Sequence, residues 1–194
     1  MSKKIPSRLR RVAGSLCMAA LCLAAAACAV PSQPQPPDWP RPIQPTDGER
    51  WLMRLSARGV QIYECQPTQS GSRWTLIAPD AELYDEQGRA IGRHGAGPTW
   101  EAHDGSRVVG VVIAHADAPS ADAIPWLLLK TRDAGPAGAF SDVHRIRRVN
   151  TTGGTAPPAG CDAAAHGARA RVPYAAEYIL YARRTLVVPV GVLA

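Results

Sequence analysis

The sequence predicts an all-β fold, a single-domain β-sandwich or barrel with long Gly- and Pro-rich loops. Two observations carry that prediction. Apolar runs of strand length, rich in Val, Ile, Leu, Thr and aromatic residues, recur between Gly, Pro, Asn and Asp turn signals. The chain also lacks internal repeats and the strand–helix alternation that would announce a parallel sheet. The folded part is expected over residues 49–194, a length suited to one domain with a real core.

Taken in order, Glu49 to Ala57 fits a strand face through Trp51, Met53 and Leu55, or a helix face through Trp51 and Leu55. Val60 to Cys65 and Arg73 to Ala78 (RWTLIA) are β-rich runs separated by the turn-like TQSGS. Ala81 to Asp85 leads into a turn at Glu86-Gln87-Gly88. From Gly88 to Gly110 the chain (GRAIGRHGAGPTWEAHDGSRVVG) reads as a glycine-rich loop holding two of the five histidines. Asp104-Gly105 within it has the composition of a hairpin turn. Arg107 to His115 (RVVGVVIAH) is apolar at successive positions, which predicts a central strand covered on both faces. Ile124 to Thr131 is similar, with Pro125 near its start, where a strand tolerates proline. Val143 to Asn150 makes a further strand, and Asn150 to Gly160 (NTTGGTAPPAG) a loop. Tyr174, Tyr178 and Tyr181 fit helical spacing and alternation nearly equally.

Ahead of the folded region, Lys3, Lys4, Arg8, Arg10 and Arg11 precede an apolar run from Val12 to Ala27, the layout of an export signal over residues 1–27. That run is short for a membrane span, which needs about 20 residues. Ala25-Ala26-Ala27-Cys28 resembles a bacterial lipobox, with Ala25 where Leu is favoured; the resemblance implies lipidation of Cys28 and attachment to the membrane. Ala29 in place of Asp implies an outer-membrane destination, facing the periplasm or the cell surface, with a soluble periplasmic or secreted form as the alternative. Residues 28–48 form a linker, since Val30 to Gly48 holds seven prolines and no apolar periodicity. Trp39 in it reads as exposed.

The signal also carries the charge. Of 22 Lys+Arg, five lie before Cys28, leaving 17 against 16 Asp+Glu. That balance gives no electrostatic case for nucleic acid, which requires a clustered basic surface. The local group Arg145, Arg147 and Arg148 reads as a solvated strand edge.

Cys17 and Cys22 lie in the signal and Cys28 is the expected lipid site, which leaves Cys65 and Cys161. In an oxidising compartment the simplest reading is a disulfide between them; two reduced buried thiols are the alternative. Chemistry concentrates between Gly88 and Gly110. His94, Glu101 and Asp104 are candidate catalytic residues, and with His103 they are candidate metal ligands, although their spacing matches no established ligand motif. His94, Trp100, His103 and Asn150 are candidate ligand contacts. No G-x-G-x-x-G follows a strand to open a helix, so no nucleotide cofactor is indicated. Ser106 and Ser141 lie in no nucleophile elbow.

Several motifs occur in order: GVQIY with Cys65, Gly92-Arg93-His94, GPTWE from Gly97 to Glu101, Asp104-Gly105-Ser106, IPWLLL from Ile124 to Leu129, and RVNTTGG from Arg148 to Gly154. On these the chain resembles the family called domain of unknown function 3455, found in bacterial envelope proteins and secreted fungal proteins. The resemblance implies a secreted, mostly β domain and supplies no mechanism. Together the readings favour an envelope domain that binds a small ligand or an envelope protein. A metal- or carboxylate-dependent hydrolase and a structural envelope protein are the alternatives.

Overall fold

In the computed structural model the described residues are 39–185. The expected signal, Cys28 and the linker before Trp39 lie outside them, as do residues 186–194. Eight strands follow one another: β1 (Glu49–Thr68), β2 (Gly71–Tyr84), β3 (Ala90–Gly95), β4 (Thr99–Ala102), β5 (Arg107–Ala116), β6 (Trp126–Asp133), β7 (Arg145–Gly153) and β8 (Arg169–Arg183). Each pairs antiparallel with the next, and β8 returns to β1, so the sheet closes into an up-and-down barrel. Of the two predicted all-β architectures, the barrel is the one adopted.

Both ambiguous segments are strands. The last one alternates, with Tyr174, Ala176, Tyr178 and Leu180 filling the inside of the barrel, while Ile179 and Tyr181 join a separate cluster on the outside. In β1 a register shift between Trp51 and Met53 puts Trp51 with the outer cluster and Leu55 in the core.

The interior is largely apolar, and the exterior carries charged side chains together with exposed apolar ones such as Val111 and Ile113. Leu55, Leu83, Trp100, Val108, Leu129 and Ile146 are fully buried inside. Arg58, Glu82, Arg93, Glu101, Lys130 and Arg171 are exposed on the wall.

At the lower end the loop between β6 and β7 folds under the barrel and inserts Phe140, which is fully buried. Asp104 holds this plug: its carboxylate accepts from the Ala139 N–H at 2.8 Å and from the Ser106 hydroxyl at 2.6 Å, and that hydroxyl accepts from the Phe140 N–H. These bonds hold the Asp104 carboxyl below the usual carboxylate range, the Ser106 hydroxyl contributing most. Asp104-Gly105 is the turn expected there, with Gly105 at φ 83°.

At the upper end Cys65 and Cys161 are bridged, with Cα atoms 5.3 Å apart across a sequence separation of 96. The bridge ties the end of β1 to the loop between β7 and β8.

Four expectations require correction. The stretch from Gly88 to Gly110 is largely a hairpin, β3 and β4, leading into β5. Its glycines serve packing as well as turning: a Cβ at Gly110 would stand 2.8 Å from the Trp100 ring and 3.1 Å from Leu129. Second, β5 is not covered on both faces, because Val111 is 63% and Ile113 51% exposed. Third, the arginine group is no solvated edge. Arg147 lies fully buried outside the barrel, and Arg148 pairs with Leu127 and Tyr178, which turn inward. Finally, Trp39 is only 6% exposed, and Ile43 is fully buried. Residues 39–48 form a strap on the outer wall, packed with Trp126, Val149, Ile179 and Tyr181. Arg147 secures it, donating from Nε to the Ile43 carbonyl and from Nη2 to the Gln44 carbonyl and to Glu49 at 2.6 Å.

Candidate functional site

The β3–β4 hairpin is much shorter than the strands beside it. β3 pairs with β2 only from Ala81 to Tyr84, and β4 pairs with β5 only from Arg107 to Val109. Above the hairpin tip, β2 and β5 therefore have no partner on their facing sides, and the wall has a notch. Pro79 lies in this part of β2, where the N–H it lacks has no β3 strand to reach. A register shift skips Ile77 on one side of the notch and another skips Ile113 on the other. Such bulges bend strands and re-aim side chains. Leu76, Ile77 and Val112 stand half-exposed at the opening.

Behind the notch is a cavity of about 410 Å³. Its floor is Trp100, Leu129 and His94, and its far wall carries Gln61, Tyr178 and Arg148. His94 stacks on Trp100 with ring centroids 4.3 Å apart, and Tyr178 meets both rings edge-on at 5.0 and 5.3 Å. The His94 imidazole Nδ1 lies 2.8 Å from the Thr99 carbonyl, a bond in which the nitrogen must donate. Burial lowers the His94 pKa from 6.5 to about 3, against the pull of that carbonyl and with the help of the Arg148 charge. The imidazole is accordingly neutral at physiological pH. Burial likewise pushes the Tyr174 and Tyr178 phenols up, the Arg148 charge opposing it in both.

Polar groups here lack protein partners. The Gln61 amide, with both its nitrogen and its oxygen, the Trp100 indole N–H and the Tyr174 and Tyr178 hydroxyls are buried without a hydrogen bond. Burying such groups unpaired is costly, so those beside the cavity are placed for ordered water or a ligand to pair them.

Of the residues expected to carry chemistry, His94 and Trp100 line the cavity. Glu101, next along β4, points outward and pairs with Arg107 at 3.5 Å. His103 is exposed in the turn after β4, and Asp104 is spent on the lower plug. Asn150 is an exposed residue at φ 49° where the β7 register shifts. His94, Glu101 and Asp104 thus occupy three separate places, and among the described residues no group of three His, Cys, Asp or Glu converges to hold a metal. Gln61, Tyr178 and Arg148 were not among the expected site residues. Alternation along β1 and β8 could have pointed Gln61 and Tyr178 inward, whereas the face of Arg148 depends on a register that only the folded barrel defines.

Fold and site together define an eight-stranded antiparallel barrel with a mostly apolar lumen and a side opening. Residues 45–182 match the family described as "Protein of unknown function (DUF3455)", and the chain belongs to that family. No curated protein and no solved structure matches it.

Proposed function

We propose that the protein is a binding protein of the cell envelope whose barrel holds one small, largely apolar molecule. The supporting observation is the cavity of about 410 Å³ with buried, unpartnered polar groups in its wall. Small-ligand sites share this pattern, an apolar concavity of roughly 300–1,000 Å³ with a few placed polar groups. An eight-stranded barrel is also about the size that can enclose a single small ligand. The hydrolase reading would need His94, Glu101 and Asp104 to converge, and their separate positions remove its support.

The binding reading is tested with N-phenyl-1-naphthylamine, a neutral apolar fluorophore. Saturable one-to-one binding is expected, and Leu76→Trp, at a half-exposed position that lines the cavity, should weaken it strongly while the protein stays folded. Absence of saturable binding, or equal binding by the variant, refutes the reading. For the envelope location, Cys28→Ser should move the protein from the membrane to the soluble fraction, and unchanged membrane attachment counts against a lipid anchor at that residue.

A further inference from the structure

We propose that the molecule held in the barrel is an amphiphilic anion, its oxyanion head on Arg148 and its apolar tail over the His94–Trp100 floor. The inference rests on the binding reading above and specifies its ligand class.

Arg148 is placed by register. Its cross-strand partners, Leu127 on β6 and Tyr178 on β8, both line the cavity, and so does Arg148. The guanidinium is not loose: Nε and Nη2 both donate to the Pro125 carbonyl, at 3.1 and 2.8 Å, and the Tyr178 hydroxyl is the other protein group beside it. Carboxylates hold some of the arginines elsewhere on the barrel, Arg107 and Arg147 among them, and Arg148 is the arginine that lines the cavity. Arg148 meets no carboxylate among the described residues, and no Asp or Glu lines the cavity. The neutral His94 adds no second charge, so the cavity carries a single fixed cation.

The neighbours suit an anion. The Gln61 amide is buried, unpartnered and in the cavity lining, and the Tyr178 hydroxyl lies there beside Arg148 and Tyr174; both can donate to an oxyanion. A guanidinium held by one edge matches the planar geometry of carboxylates and phosphates. Leu76, Val112, Leu127 and Leu129 in the remaining wall offer apolar contact, which suits a hydrocarbon tail.

The test compares decanoate, decyl phosphate and decanol as displacers of N-phenyl-1-naphthylamine from the purified full-length protein. At least one of the two anions should bind about tenfold or more tightly than decanol, as a hydrogen-bonded charged head predicts. Comparison of the two anions with each other identifies the head as carboxylate or phosphate. In Arg148→Gln the preference should fall to parity while the neutral fluorophore still binds, and Arg148→Lys should keep part of it. Decanol binding as tightly as both anions overturns the inference, as does an unchanged preference in a folded Arg148→Gln. If the fluorophore binds but no anion is preferred, only the ligand class fails. If neither fluorophore nor amphiphile binds, the binding reading falls with it.

Discussion

His94 shows how one residue ties the cavity to the stability of the fold. It is 3% exposed, stacked on Trp100 and held neutral by its surroundings. Its pKa is about 3 in the folded protein against an ordinary 6.5. As pH falls the unfolded chain takes up the proton first, so the stability associated with this group is complete above 6.5 and is lost progressively toward 3. The slope from one such group is up to about 1.4 kcal/mol per pH unit. Denaturant unfolding measured between those limits should show a slope shallower by about one proton in His94→Phe, which retains an aromatic face for Trp100. Equal slopes in both proteins would mean that the imidazole is protonated in the fold. His144 is also lowered, chiefly by burial, so the difference between the two proteins and not the wild-type slope is the diagnostic quantity. His94 and Trp100 could be singled out from sequence because histidine and tryptophan among glycines are conspicuous. Gln61 is reachable only by following the alternation along β1, and Arg148 not at all, since its face is set by a β7 register that only the closed barrel defines.

At the level of elements, the outer strap and the short hairpin decide the shape of the barrel. The strap depends on Arg147, whose buried pair with Glu49 is reinforced by two backbone carbonyls and by the Tyr181 ring 4.5 Å from the guanidinium carbon. Removing Arg147 leaves Glu49 buried with the longer Arg145 contact at 3.8 Å as its remaining ion pair, a loss of about 3 kcal/mol. Arg147→Ala should therefore destabilise the barrel by that amount and raise amide exchange across residues 39–48. The pair Glu49→Leu with Arg147→Met should recover most of the stability, because no charge is then left buried. Failure of exchange to rise in Arg147→Ala would show that the apolar contacts of Trp39 and Ile43 hold the strap by themselves. Proline-rich composition concealed this segment. Seven prolines between Val30 and Gly48 describe the backbone of a spacer, but Trp39 and Ile43 among them, together with Arg147, dock its end on the wall. The hairpin was hidden differently: glycines that looked like loop residues are strand positions where the facing strand or the Trp100 ring needs the space.

For the whole molecule, closure is the organising fact. Strand β8 contacts both β1 and β7, so the chain's last described strand completes the lumen begun by its first. The Cys65–Cys161 bridge adds a covalent tie between the same early and late parts. Closing a loop of that size contributes about 4 to 5 kcal/mol in the chain-entropy account. Reduction, or Cys65→Ser with Cys161→Ser, should lower the melting temperature by on the order of 10 °C while leaving the far-ultraviolet spectrum of a β protein. An unchanged melting temperature would mean that the loop from Gly154 to Ala168 is fixed without the bridge, by contacts such as the Tyr63 hydroxyl on the Gly154 carbonyl at 2.7 Å. The all-β class and the cysteine pair were legible because alternation and residue type are local or countable. Closure into a barrel was not, because a sandwich uses the same alternating strands and differs only in whether the first and last ones meet.

The unpaired span between β2 and β5 lies in the wall of the barrel, and not at its axial mouth. A guest lodged behind it could extend sideways into solvent between Leu76 and Val112 without parting a single pair of strands. A container with such a slot measures one end of its contents and ignores the other. Selectivity should then follow the chemistry of the head near Arg148, and homologues differing only in tail length beyond the cavity should be admitted almost equally.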